Sequence, residues 1–231
     1  MSGRLLRSTT RPVERLLVAA PATIIYLLLL SSTTLLIHSL SAGAADRVLD
    51  SESTNLDHLA RDPLHVIVGS AFLMPGGLRT MLTLPLWGAL VALAEWRLGT
   101  RLVALVFSAG HVAATLLVAA GLRVGVQADV IGRSVMNVQD VGPSYGFFAI
   151  AGAMTALLEP RLRRISVALL ALCVTVPLVT SHSFSDVGHL LALGIGFAFA
   201  PIVARRSTAQ LGRLTCASAG RHFVGYLGYR A

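Results

Sequence analysis

Of the 231 residues, 55% are hydrophobic and only 13% are charged, and the mean hydropathy is +0.73. Soluble domains carry about 25% charged residues, so a soluble globular class is excluded and an all-α integral membrane protein is expected. The net charge is +8, every basic side chain is arginine, and the arginines gather at chain ends and short loops, which speaks for membrane orientation and against nucleic acid as a partner.

Residues 1–15 carry Arg4, Arg7, Arg11 and Arg15 and read as a basic N-terminus. Leu16 to Leu40 is an apolar run long enough to cross about 30 Å of hydrocarbon. Ala42-Gly43-Ala44 resembles a signal-peptidase site, but the apolar core before it is longer than in a signal peptide. The run is therefore read as an uncleaved first helix, with His38 at the interface. Ala45 to Pro63 is polar and carries Asp46, Asp50, Glu52, Asp57 and Asp62, nearly half of the chain's 11 acidic residues. Leu64 to Met74 is apolar but too short to span, and Pro63 and Pro75-Gly76-Gly77 bound it. It reads as an interfacial or re-entrant helix in a long loop. His58 and His65 in this loop lack metal-ligand spacing; no metal and no cofactor is expected.

Thr80 to Ala94 is a second, short span, ending in the tight charged turn Glu95-Trp96-Arg97-Leu98-Gly99-Thr100-Arg101. Leu102 to Leu122 is a third, with His111 expected to face the protein interior, as a packing or hydrogen-bonding residue in preference to a catalytic one. Arg123 to Val141 is a polar, irregular loop. Pro143 to Leu158 is a fourth span, and Glu159 to Arg164 a basic turn. Ile165 to Thr180 is a fifth, Ser181 to Ser185 a short polar loop, and Val187 to Ala204 a sixth. Arg205-Arg206 then leads into a tail, 207–231. Cys173 lies in an apolar run and Cys216 in the tail, so no disulfide framework is implied. The membrane domain is thus 16–206. With six spans, the arginine-rich segments all fall on one side, which the positive-inside rule makes cytoplasmic, together with both termini.

Two stretches carry chemistry. In Val141-Gly142-Pro143-Ser144-Tyr145-Gly146, Gly142 supplies a tight turn and Pro143 suits a helix start. Ser144 then falls in the first turn, among free N–H groups. Its plain reading is a cap, with Gly142 and Gly146 for close packing. Asp186-Val187-Gly188-His189 opens another apolar helix at the same outer face. A serine and a histidine at matching depth are the minimum for nucleophilic catalysis, the histidine taking the hydroxyl proton as the serine attacks a carbonyl. Ala192 and Gly196 follow His189 on one helical face. Small residues there, opposite Gly142 and Gly146, are expected to let the two helices approach closely.

The order Glu95-x-Arg97-x-Gly99, then Gly142-x-Ser144 opening a helix, then Gly188-His189-x-x-Ala192-x-x-x-Gly196 resembles the rhomboid family of intramembrane serine proteases, over roughly Leu64 to Ala204. The resemblance implies a six-transmembrane-helix bundle in the cell membrane, with Ser144 as nucleophile, His189 as base and an aromatic ring, Phe148, against the histidine. It makes Glu95, Arg97 and Gly99 a structural turn, and implies that transmembrane protein substrates are cut near the outer face. Three departures stand beside it. Arg79 and Thr83 occupy the second-helix positions where the family has a histidine and an asparagine. Tyr145 follows the serine where the family has glycine. Pro143 removes an N–H beside the nucleophile. Losing one oxyanion donor costs about a hundred- to a thousandfold in rate; Tyr145 N–H, Gly146 N–H and the Thr83 hydroxyl are the candidates to replace those lost. The retained Ser144 and His189 favour a protease; the missing donors favour a pseudoprotease that binds client helices without cutting them. A transporter is disfavoured by the lack of a strong internal repeat and by the few charges within spans.

Overall fold

A computed structural model describes residues 19–75, 80–181 and 183–227, with side chains as far as Ser207. All regular structure among them is helical. Helix α1, Pro21–Ser39, starts with proline at its first positions, where no N–H is needed. Three short helices follow, α2 (Ala42–Ser51), α3 (Leu56–Arg61) and α4 (Pro63–Ser70). The last two start on side-chain caps: Asn55 accepts from His58 N–H at 2.9 Å and Asp62 from His65 N–H at 3.2 Å, each satisfying an orphan donor. Then come α5 (Leu84–Leu98), α6 (Thr100–Gln127), a 3-10 turn at Arg133–Asn137, and α7 (Ser144–Met154), which a 3-10 turn extends to Leu157. Helices α8 (Pro160–Ser181) and α9 (Phe184–Leu227) complete the described chain.

Four of these are long and apolar enough to cross a membrane: Pro21–Ser39, Thr100–Gln127, Pro160–Ser181 and the Phe184–Ser207 part of α9. The fold is thus all-α and multi-pass. Ser144–Leu157 is apolar but shorter, and α5 has only 15 residues. At 1.5 Å per residue α5 is about 22 Å long. The expected element ends shift in physically sensible ways. The charged turn after the second span shrinks to Gly99, because Glu95 to Leu98 continue the helix until Gly99 breaks it at φ +80°. The basic turn at 159–164 is the first turns of α8, which opens on Pro160. The sixth span, expected over Val187 to Ala204, is part of a longer helix that continues through Arg205 and Arg206 to Leu227. In the loop between α1 and α5 the apolar segment is helical only to Ser70; Ala71, Leu73 and Met74 leave the helix but stay buried.

Helix α7 is the axis of the bundle. Every residue from Tyr145 to Met154 is buried, and α9, α6 and α5 surround it. Phe147 stacks on Trp87 of α5 at 5.2 Å and meets Phe107 and Tyr26 edge-on. A helix jacketed by protein satisfies its own backbone and meets little lipid, so its shortness is tolerable. Helix α8 is the opposite case, with Val174 its one buried residue.

The packing glycines are distributed differently from the sequence expectation. Gly196 of α9 lies against the backbone of Ala149, so close that a Cβ would run into that carbonyl, and Gly152 lies against Leu193 and Gly196 in return. Ala192 beside them is fully buried. Gly146, however, faces the Phe107 ring of α6 rather than α9. Gly142 takes no part in helix contact; the turn before α7 uses it, at φ +137°. The backbone-to-backbone part of the α7–α9 contact therefore sits further along α7, one to two helical turns from Ser144.

Two clamps fix the periphery. The Glu95 carboxylate is buried and accepts from Thr23 N–H (2.8 Å), Thr23 Oγ1 (2.6 Å), Ala22 N–H (3.1 Å) and Thr100 Oγ1 (2.7 Å). It thereby satisfies first-turn donors of α1 and joins α1 to the α5–α6 corner. Arg97, by contrast, is exposed and lies over the Trp96 ring at 5.0 Å. On the other side, buried His111 of α6 holds α4, its Nε2 lying 3.0 Å from Ile67 O and 3.2 Å from Ser70 Oγ. A carbonyl only accepts, so Nε2 carries the proton there.

Candidate active site

The site is assembled where the α6–α7 loop meets the start of α9. Asp140 in that loop is the junction. Its main-chain N–H donates to Ser53 Oγ at 2.9 Å, and its carbonyl accepts from Thr54 N–H at 2.9 Å. Its carboxylate accepts from Tyr145 OH at 2.9 Å on Oδ2 and from Ser185 Oγ at 3.0 Å on Oδ1. One residue, through its main chain and its carboxylate, thus ties the Ser53–Thr54 loop, α7 and α9 together. Gly142 then turns the chain, its N–H donating to Ser70 O at 3.1 Å.

Ser144 is the first residue of α7. Phe147 N–H closes the first turn onto Pro143 O at 3.1 Å. The N–H groups of Tyr145 and Gly146 precede that closure and have no helical carbonyl to meet. Beside the start of α7, α9 approaches over Gly188, where any Cβ would strike the Tyr145 ring. That approach brings His189 Nε2 to 2.9 Å from Ser144 Oγ. The imidazole is gripped by two rings, Phe148 at 4.9 Å between centroids and Tyr145 edge-on at 5.4 Å. Its Nδ1 lies 3.7 Å from Asp186 Oδ1, and Ser181 Oγ donates to the other oxygen of that carboxylate. The His189 side chain keeps 23% of its surface, so the pair is reachable from outside the protein core. A serine hydroxyl bonded to a neutral imidazole is arranged to lose its proton as it attacks a carbonyl.

Not every residue predicted for the site is in it. Thr83 is exposed on the turn before α5 and donates to Thr80 O at 2.7 Å. Its hydroxyl is satisfied locally, as threonines at turns commonly are, and it is not the polar group expected beside Ser144. Arg79 lies outside the described residues. The Tyr145 phenol is committed to Asp140, which leaves only its N–H free for a developing oxyanion. Two acidic residues were missed by the site reading. Asp186 carried a usable signal, since a residue three before His189 on a helix shares its face. Asp140 carried none, because a loop delivers it.

An all-helical, multi-pass membrane protein with a serine and a histidine from separate helices in hydrogen-bond contact is the class that this fold and site define. The family model for rhomboid-like proteins matches residues 15–209. The chain therefore belongs to the rhomboid-like family. No curated protein and no solved structure matches it.

Proposed function

We propose that this protein is an intramembrane serine endopeptidase that cuts transmembrane protein substrates near the outer face of the cell membrane. The observation that carries the reading is the 2.9 Å contact between His189 Nε2 and Ser144 Oγ. In this reading α5 and α7 complete six spans and both termini are cytoplasmic, as the arginine distribution requires. Ser144 Oγ bonds to the substrate carbonyl carbon while its proton passes to His189 Nε2. The tetrahedral oxyanion is held by the N–H groups of Tyr145 and Gly146, and by the dipole of α7. His189 returns the proton to the departing amine, leaving an acyl-serine. Water then attacks that ester by the same route in reverse.

A binding-only reading, in which client helices are held and not cut, is favoured by one specific observation: the Thr83 hydroxyl points to Thr80 and not to the site. Pro143 adds to it by contributing no N–H. The two readings separate on reaction of the purified protein, in detergent, with a serine-directed fluorophosphonate. The protease reading expects covalent labelling that Ser144→Ala abolishes. It also expects labelling to fall on acidification, because only neutral imidazole takes the proton. Wild-type protein that stays unlabelled at every pH supports the binder and sinks the protease.

A further inference from the structure

We propose that Asp186 is a third member of the site, a positioning residue that selects the tautomer of His189 and stabilises the imidazolium. The inference rests on the protease reading above. For Nε2 to take the Ser144 proton it must be unprotonated, so the neutral ring carries its hydrogen on Nδ1. Nδ1 faces Asp186 Oδ1 at 3.7 Å. A carboxylate accepts only, so it favours the tautomer with hydrogen on Nδ1 and disfavours the reverse one.

Three of the four carboxylate oxygens near His189 are occupied by hydroxyl donors. Asp140 Oδ1 is taken by Ser185 and Asp140 Oδ2 by Tyr145, with Thr54 Oγ1 at 3.4 Å. Asp186 Oδ2 is taken by Ser181. Asp186 Oδ1 is the remaining carboxylate oxygen, and it is the one aimed at the ring. Asp186 is buried, so its charge is poorly screened. It is also on the same helix as His189, one turn earlier, so the pair moves as a unit. Tyr145 stands between the ring and Asp140, which makes Asp186 the acidic side chain in contact with the histidine. The 3.7 Å gap is too long for a formed hydrogen bond, and catalytic contacts that are long in a free enzyme commonly tighten when substrate binds.

The simpler role for Asp186 is to face the N-terminal dipole of α9. Asparagine there would weaken that contact but keep the shape. The test is the rate of Ser144 labelling by the fluorophosphonate across a full pH profile, with thermal melting in the same detergent. Full-length wild type, Asp186→Asn and Asp186→Glu are compared on their alkaline plateaus, where the ring is neutral in all three. An aspartate hydrogen-bonded directly to its histidine is worth about ten-thousandfold when changed to asparagine. At 3.7 Å the expected loss for Asp186→Asn is smaller, about tenfold to a hundredfold, with melting little changed. Asp186→Glu should lie between it and wild type, because the charge is kept but displaced. An Asp186→Asn plateau equal to wild type overturns the proposal and leaves the protease reading standing. So does an Asp186→Glu plateau as low as that of Asp186→Asn. If Asp186→Asn does not fold, Asp186→Glu decides alone: a several-fold loss with unchanged melting supports the role, and a wild-type plateau overturns it. Wild-type protein that does not label at all removes both readings together.

Discussion

His189 is held by contacts on three sides: Ser144 on Nε2, Asp186 toward Nδ1, and the rings of Phe148 and Tyr145 packed around it. Such a residue has few alternative rotamers, which suits a base that must stay within hydrogen-bond reach of a hydroxyl. Ser144→Ala and His189→Ala should each abolish cleavage of a model membrane substrate in reconstituted vesicles while the protein keeps its melting temperature. Members of such a unit are non-additive, so the double variant should be no worse than either single one. Cleavage by Ser144→Ala at the wild-type rate would refute the assignment. Tyr145 separates structure from chemistry. Tyr145→Phe keeps the edge contact to His189 but removes the bond to Asp140 Oδ2. The loss should be about 1 kcal/mol of stability, read from denaturation in detergent, and fluorophosphonate labelling should drop far less than for His189→Ala. Labelling abolished by Tyr145→Phe would mean that the phenol itself belongs to the chemistry.

At the scale of elements, the approach of α7 and α9 is set by backbone against backbone. Gly196→Leu must push the helices apart, since the new side chain would start inside the Ala149 carbonyl. Overpacking of this kind costs about 1–3 kcal/mol and at times more, and here it should also separate Ser144 from His189. Gly194, two residues earlier on α9, has open space around it and is exposed. Gly194→Ala should be neutral or stabilising by up to about 1 kcal/mol, through helix propensity alone. Paired melts of the two variants check the contact: equal melting would mean that α9 does not pack on Ala149. The Glu95 clamp is the corresponding test at the other end of the bundle. Glu95→Gln exchanges one accepting oxygen for a donor among the donors of Ala22, Thr23 and Thr100. Leaving buried donors unpaired costs about 1–3 kcal/mol each, so melting should fall clearly while Arg97→Ala, on the exposed face, changes little.

For the whole molecule, the testable quantity is topology. The proposed arrangement puts the outer loop and the α6–α7 loop on one side of the membrane and the α7–α8 corner on the other. In a background with Cys173 and Cys216 replaced by serine, single cysteines at Arg61, Ser134 and Arg161 report this directly, since all three positions are exposed. Impermeant maleimide added to intact cells should reach positions 61 and 134 and miss 161. Equal labelling at 134 and 161 would place both ends of α7 on one side, and α7 would then not be a span.

Much of this protein was legible in its sequence because the relevant signals are local. Apolar runs depend only on neighbouring residues, so α1, α6, α8 and the start of α9 follow from composition and length. Arginine asymmetry acts on short loops, so an orientation can be proposed from it, and the maleimide mapping tests that proposal. The residue types at positions 144 and 189 also announced a possible chemistry. Helix ends were less legible: Arg205 and Arg206 mark the end of the apolar span, but nothing between Ala204 and Leu227 is proline, and the backbone carries the helix on. What tertiary structure alone decided is distance between segments far apart in the chain. The meeting of Ser144 with His189, 45 residues apart, depends on how α9 crosses α7. That crossing is set by Gly188 over Tyr145 and Gly196 over Ala149. Gly146 belongs to a different contact, with Phe107, because a glycine's small size shows in sequence but the neighbour it admits does not. For the same reason Thr83 could be matched to a position in a motif yet face away from the site. Asp140 could reach Tyr145 and Ser185 only because an irregular loop, whose path no periodicity records, carries it there.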